Sequence, residues 1–201
     1  MARPAPRRQP MTPAEYLAFE ERSPVKHEYV DGYVYAMSGT RRRHNRILMN
    51  VAWRLRTAAE GGPCDVFVND LKVQADATRY YYPDVGVTCG PYDDETLTIT
   101  DPCLVVEVTS PSTRATDHRE KLGAYTRVPT LRAYLIVEAD RPEVYRHWRD
   151  AAGAWHYDLV TPESGGQVAV PCPDLTLTLD QIYAGVTMRP RVRRVKEGAA
   201  G

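Results

Sequence analysis

From Cys103 to Thr109 the chain reads Cys-Leu-Val-Val-Glu-Val-Thr, apolar at both odd and even positions except for one glutamate. A strand that is apolar on both faces belongs in a sheet covered on both sides. Two more strand-like runs precede it, Asp65 to Gln74 (DVFVNDLKVQ) and Arg79 to Cys89 (RYYYPDVGVTC), around a turn-like Ala-Asp-Ala-Thr. The second is interrupted by Pro83-Asp84, which suits an edge, a bulge or a strand start. Segments 131–139 (LRAYLIVEA), 143–150 (EVYRHWRD) and 154–160 (AWHYDLV) predict further strands, and 174–185 predicts a strand leading into one helical turn. Asp31-Gly32 between two β-rich runs predicts a hairpin.

Helical spacing appears in three places. Thr12, Pro13 and Glu15 form a capping signature for a short helix that stops before Pro24. From about Thr40 to Glu60, the residues Ile47, Leu48, Val51 and Leu55 share one face, and Gly61-Gly62-Pro63 ends the helix. A third helix is predicted from about Asp117 to Val128, with Asp117 and Glu120 as a capping box. The sum is an α/β domain with a central mixed sheet flanked by helices, preceded by an N-terminal helix and β-hairpin.

Composition adds boundaries. Hydrophobic residues make up 43% and charged residues 26% of 201, the profile of a soluble globular protein with a sizeable core. No apolar run approaches the ~20 residues that span a membrane, and the start carries no secretory signal, so a cytoplasmic location is expected. Residues 1–10 read as a disordered arm, 11–187 as a single domain and 188–201 as a basic flexible tail. Cys64, Cys89, Cys103 and Cys172 form no Cys-x-x-Cys pair; buried free thiols are the preferred reading over disulfides or zinc ligation. Net charge is zero, so no global field advertises a nucleic-acid partner. Even so, Arg41, Arg42, Arg43, Arg46, Arg54 and Arg56 fall in one stretch without an acid, and RPRVRRVK follows near the C-terminus.

Burying Glu107 costs several kcal/mol unless something compensates its charge. A strand-end carboxylate reaching water or an arginine is one solution. Asp84 suggests another, because two acids on adjacent strands repel unless a divalent cation lies between them, and hard oxygen donors suit Mg²⁺ or Mn²⁺. Lys121 shares a helix face with Tyr125 and Val128, so its stem points toward the sheet. His44 lies on the apolar face of the long helix, where a core or capping role competes with contact to the site. Ser110, Ser112 and Thr113 suit turn-making first and phosphate contact second.

The segments PDV, LVVEVTSPST, DHREKLGAY and LRAYLIV, with HEYVDGYVYAM and the His44 helix, together resemble the Uma2 (DUF820-type) family of restriction-endonuclease-like proteins, within the PD-(D/E)XK nuclease superfamily. The likeness spans roughly Met11 to Asp158, and EVTSPST is its most specific part. It implies a restriction-endonuclease-like core and a Mg²⁺- or Mn²⁺-dependent endonuclease acting on DNA, a hydrolase, with Asp84 and Glu107 as metal ligands. Thr109 occupies the superfamily's usual lysine position, so the resemblance assigns the lysine's role to Lys121 on the neighbouring helix. Glu28, before the hairpin turn, becomes a further acidic catalytic residue, and the family pattern also places a histidine at His44, a candidate contact to substrate or phosphate. Arg42 and Arg46 on the basic helix face and the Ser110 hydroxyl are candidate contacts from their own chemistry. A homodimer follows by analogy with nucleases that cut both strands. The alternative is a catalytically degenerate nuclease fold that binds nucleic acid or assembles with partners.

Overall fold

The computed structural model describes residues 9–91 and 93–188. Nearly all of the expected N-terminal arm and basic tail, RPRVRRVK included, lies outside the described residues.

The chain opens with α1 (Pro13–Glu20), whose capping box forms in full: the Thr12 hydroxyl accepts from the Glu15 amide and the Glu15 carboxylate accepts from the Thr12 amide. Next come β1 (His27–Val30) and β2 (Tyr33–Ala36), paired antiparallel. Their turn places Asp31 at φ 48° and Gly32 at φ 95°, the two positive values that a tight primed turn needs. Helix α2 (Arg42–Ala59) follows and buries Ile47, Leu48, Val51 and Leu55 along one face.

β3 (Cys64–Val68), β4 (Lys72–Asp76), β5 (Arg79–Tyr81), β6 (Val85–Cys89) and β7 (Thr98–Ile99) lead to β8 (Pro102–Thr109). A π-helical turn, Thr116–Lys121, runs directly into α3 (Leu122–Tyr125). The chain then adds β9 (Ala133–Glu138), β10 (Val144–Arg149), β11 (Trp155–Val160), β12 (Gln167–Pro171), β13 (Asp174–Thr178) and α4 (Leu179–Ile182).

These strands form a six-stranded sheet ordered β11-β10-β9-β8-β6-β3, a five-stranded sheet ordered β2-β1-β5-β4-β7, and the β12-β13 hairpin. In the six-stranded sheet β8 and β9 run parallel and the other neighbours antiparallel. Each strand-like run before β8 therefore divides between two sheets. The first breaks after Val68, with Asn69 at φ 52°. The second breaks at Tyr82-Pro83-Asp84 because proline cannot donate to a ladder. The two crossings meet where the Asn69 amide donates to the Asp84 carbonyl at 3.3 Å.

The both-face apolarity of β8 now has its cause. Leu104, Val106 and Val108 pack with Ile47, Leu48, Val51 and Leu55 of α2 and with Val168, Val170 and Leu177 of the β12-β13 hairpin. Val105 packs on the opposite side with Val73, Tyr81, Tyr125, Tyr134 and Ile136. The order of layers is α2 with the hairpin, the six-stranded sheet, then the five-stranded sheet with α3. Burying each large aliphatic side chain contributes about 1.5–3 kcal/mol. Gly86 permits one close approach in this core: a Cβ there would collide with the ring of Phe67, its cross-strand partner.

Two expectations fail. Asp117 does not cap the third helix; Ala115 occupies the N-cap without a side-chain bond, and Asp117 is buried inside the π turn. The cysteines are not free thiols. Cys64 is bonded to Cys89 and Cys103 to Cys172. The strand register sets Cys64 opposite Cys89, and the β12-β13 turn carries Cys172 to the start of β8, a convergence that sequence spacing does not encode.

Candidate functional site

The end of β8 lies where the two large sheets approach each other. Lys121, 5% exposed, reaches Glu107 there. Its Nζ lies 2.8 Å from Glu107 Oε1 on β8, 2.8 Å from Glu28 Oε1 on β1 and 3.7 Å from Asp117 Oδ1 one turn earlier. The Tyr81 ring lies 5.5 Å from the same ammonium. The i→i+5 pattern widens this turn, as is frequent at functional sites, and it presents Asp117 and Lys121 to the same buried space.

Asp84 enters from the other crossing. One step beyond the Val85–Val106 pair, antiparallel pairing sets Asp84 beside Glu107. Its Oδ2 accepts from the Val108 amide at 2.7 Å and lies 3.1 Å from His44 Nε2 on α2. His44 is buried, and its Nδ1 has no hydrogen-bond partner among the described residues. The Tyr125 hydroxyl has none either, while the Thr113 side chain bonds to Asp117.

The cluster therefore holds four carboxylates, Glu28, Asp84, Glu107 and Asp117, around one lysine, with His44 at its margin. Burial pushes Glu107 well above the ordinary carboxylate range; Lys121 opposes the shift, while Asp117, Asp84 and Glu28 add to it. Asp117 is pushed up to about 6, chiefly by burial, with Lys121 opposing. For Lys121 burial acts downward, yet the carboxylates Glu107, Glu28 and Asp117 outweigh it and hold the ammonium protonated. Anionic oxygen in excess is a donor set that fits a hard divalent cation. Asp84, just before β6, and Glu107 on β8 lie beside each other, with Glu28 and Asp117 nearby and both facing Lys121.

The other predicted residues take different positions. Arg42 is exposed at the first residue of α2. Arg46 is turned to the segment after α4, donating to the Gly185 carbonyl. Ser110 closes a polar turn: its amide donates to Thr113 Oγ1 at 3.0 Å and its hydroxyl lies 2.7 Å from that of Ser112. Thr109 donates to Glu138 Oε2 at 3.1 Å. Sequence reasoning missed Asp117 as a member of the cluster. Its signal was the i, i+4 spacing to Lys121, masked by the capping pattern with Glu120.

A mixed sheet that sets an Asp beside a Glu, with a lysine delivered by the following helix, defines a restriction-endonuclease-like domain. The chain matches the Uma2 family, described as "Putative restriction endonuclease", over residues 13–182, and it belongs to that family. It is 38% identical over 178 residues to the uncharacterized protein slr1290 of Synechocystis sp. (strain ATCC 27184 / PCC 6803 / Kazusa), covering 88% of this chain and 93% of that one. A second uncharacterized protein of that strain, sll1609, is 32% identical over 132 residues, 64% of this chain and 75% of the other. The fold is similar to that of a putative nuclease belonging to DUF820 from Anabaena variabilis ATCC 29413. That match has a TM-score of 0.71 at 15% identity and covers 87% of this chain and 98% of that one.

Proposed function

We propose that this protein is an endonuclease that hydrolyses phosphodiester bonds of DNA with the help of a divalent cation, Mg²⁺ or Mn²⁺. One observation carries the reading: buried acids at the end of β8 outnumber the single lysine among them, with Glu28, Glu107 and Asp117 around Lys121 and Asp84 beside Glu107. Asp84 and Glu107 would hold the cation, with Glu28 and Asp117 completing the anionic wall. When bound, the cation supplies Lewis-acid stabilisation of the phosphate and a bound water of lowered pKa.

The chain's own residues do the rest. Lys121 stays protonated, so it serves as an electrostatic donor to developing negative charge and to the attacking water, not as a base. The Val108 amide and His44 fix the Asp84 carboxylate from two directions. The arginines at the start of α2 offer charge to a phosphate backbone, and Arg42 is exposed there. A homodimer would supply the two centres that a double-strand cut needs.

Mn²⁺ titration by calorimetry, paired with nicking of supercoiled plasmid, tests the assignment. Asp84→Ala and Glu107→Ala should each abolish both signals while circular dichroism stays unchanged. A Glu107→Ala protein that binds Mn²⁺ as tightly as wild type sinks the site.

A second reading, a nuclease fold that holds nucleic acid without cutting it, is favoured by the engagement of Lys121 with Glu28 and Glu107 together. Plasmid retained in a mobility shift but left intact with Mn²⁺ would select it.

A further inference from the structure

The opposite end of β6 and β8 carries a second convergence. Cys64 begins β3, Cys89 ends β6, Cys103 lies at the start of β8 and Cys172 sits in the β12-β13 turn. Besides the two bonded pairs, Cys89 Sγ lies 3.1 Å from Cys172 Sγ and 3.4 Å from Cys103 Sγ. The sulfurs of Cys64, Cys89 and Cys172 all lie within 4.8 Å of one another. Two independent disulfides need no contact between the pairs. A single ion held by four thiolates requires it: with metal–sulfur bonds of about 2.3 Å, tetrahedral ligands lie roughly 3.8 Å apart.

We propose that the reduced protein binds one zinc-class ion through Cys64, Cys89, Cys103 and Cys172, and that the disulfide-paired arrangement is the oxidised, metal-free form of the same cluster. Soft thiolates select zinc over the hard cation expected at the carboxylates. Cys89 is exposed and Cys64 half-buried, which leaves an entry path. A cavity of about 530 Å³ adjoins Cys64, and Arg56 and the backbone of Gly61, Gly62 and Gly90 line it. Asp65 lines it too. Four protein ligands close the coordination sphere, the mark of a structural site. Such an ion would clamp the separate β12-β13 sheet to the central one.

The chemistry balances with a thiol reductant. Two molecules of dithiothreitol give four electrons and four protons to the two disulfides and leave as cyclic disulfides. The four thiols then bind Zn²⁺ and release four protons.

The test uses the full chain, reduced with dithiothreitol and desalted under anaerobic conditions, then titrated with Co²⁺ and Zn²⁺. The intense sulfur-to-cobalt charge-transfer absorption should saturate at one equivalent of Co²⁺, and one equivalent of Zn²⁺ should abolish it. Cys89→Ser should weaken that absorption at least tenfold in affinity, and Glu107→Ala should leave it unchanged. Wild-type protein that takes up Co²⁺ without a sulfur charge-transfer band, or takes up none, overturns the proposal. That spectrum requires no variant to fold, and Mn²⁺ binding at the carboxylates succeeds or fails independently of it.

Discussion

Two glutamates lie buried on neighbouring parallel strands, and their surroundings are opposites. Glu107 on β8 is 5% exposed and Glu138 on β9 is 1% exposed; β8 and β9 pair so that Thr109 stands opposite Glu138. Glu107 shares a single lysine with Glu28 and Asp117. Glu138 has Arg114 bonded to it, His118 at 3.4 Å, Arg141 at 3.9 Å and the Thr109 hydroxyl at 3.1 Å. A buried acid is thus no mark of chemistry in itself. The local count of charge separates them, because cations surround Glu138 whereas the acids around Glu107 outnumber their one lysine.

Lys121→Met should give the largest effect. Without divalent cation it leaves three acids uncompensated, and breaking a buried pair in this way costs about 3–5 kcal/mol, measurable by urea denaturation. The inward stem seen in the sequence would suggest a mild change; the burial and the three carboxylates reverse that expectation. Turnover on plasmid should also fall on the order of a hundredfold. A variant as stable as wild type would erase the contrast.

The pH dependence comes next. Asp117 moves from an ordinary 3.8 to about 6 on folding, so between those values the folded protein holds a proton that the unfolded chain has released. Its stabilising contribution is complete below about pH 4 and is lost as pH rises through about 6, by up to about 3 kcal/mol. Asp117→Asn should remove this difference from metal-free denaturation curves taken at pH 4 and pH 7. Parallel curves for the two proteins would refute the shift.

Glu138→Gln should cost less, about 1–2 kcal/mol, since the guanidinium groups of Arg114 and Arg141 are partly exposed and regain water. Mn²⁺ affinity should stay at the wild-type value, and a loss comparable to that of Glu107→Ala would make the two acids one site. The smallest effect belongs to Arg42→Glu. If its exposed guanidinium meets a phosphate, the slope of log affinity against log salt should flatten by about 1 for the lost contact, without any change in Mn²⁺ binding.

Much of this arrangement was legible where local rules decide. Thr12 with Glu15, Asp31-Gly32 and the Ile47–Leu55 face each carry their structure within a few residues, and the Glu107 strand announces its double burial in seven. The sheet crossings at Asn69 and Pro83 were harder, because a β-rich run looks alike whether it stays in one sheet or changes to another. Strand β12 was overlooked for a related reason, its hairpin turn being Cys172-Pro173 directly after Pro171. The roles of Asp117, Glu138 and the four cysteines depend on neighbours far along the chain.

β8 needs a neighbour from each side of it along the chain: β6 precedes it and β9 follows it. A fragment that ends before residue 121 lacks the lysine, so its acids repel with no ammonium among them. One that ends before β9 also leaves β8 with an open edge, apolar on both faces, which is a template for intermolecular pairing. Fragments released between residues 110 and 130 should therefore aggregate, whereas the full chain covers that edge itself.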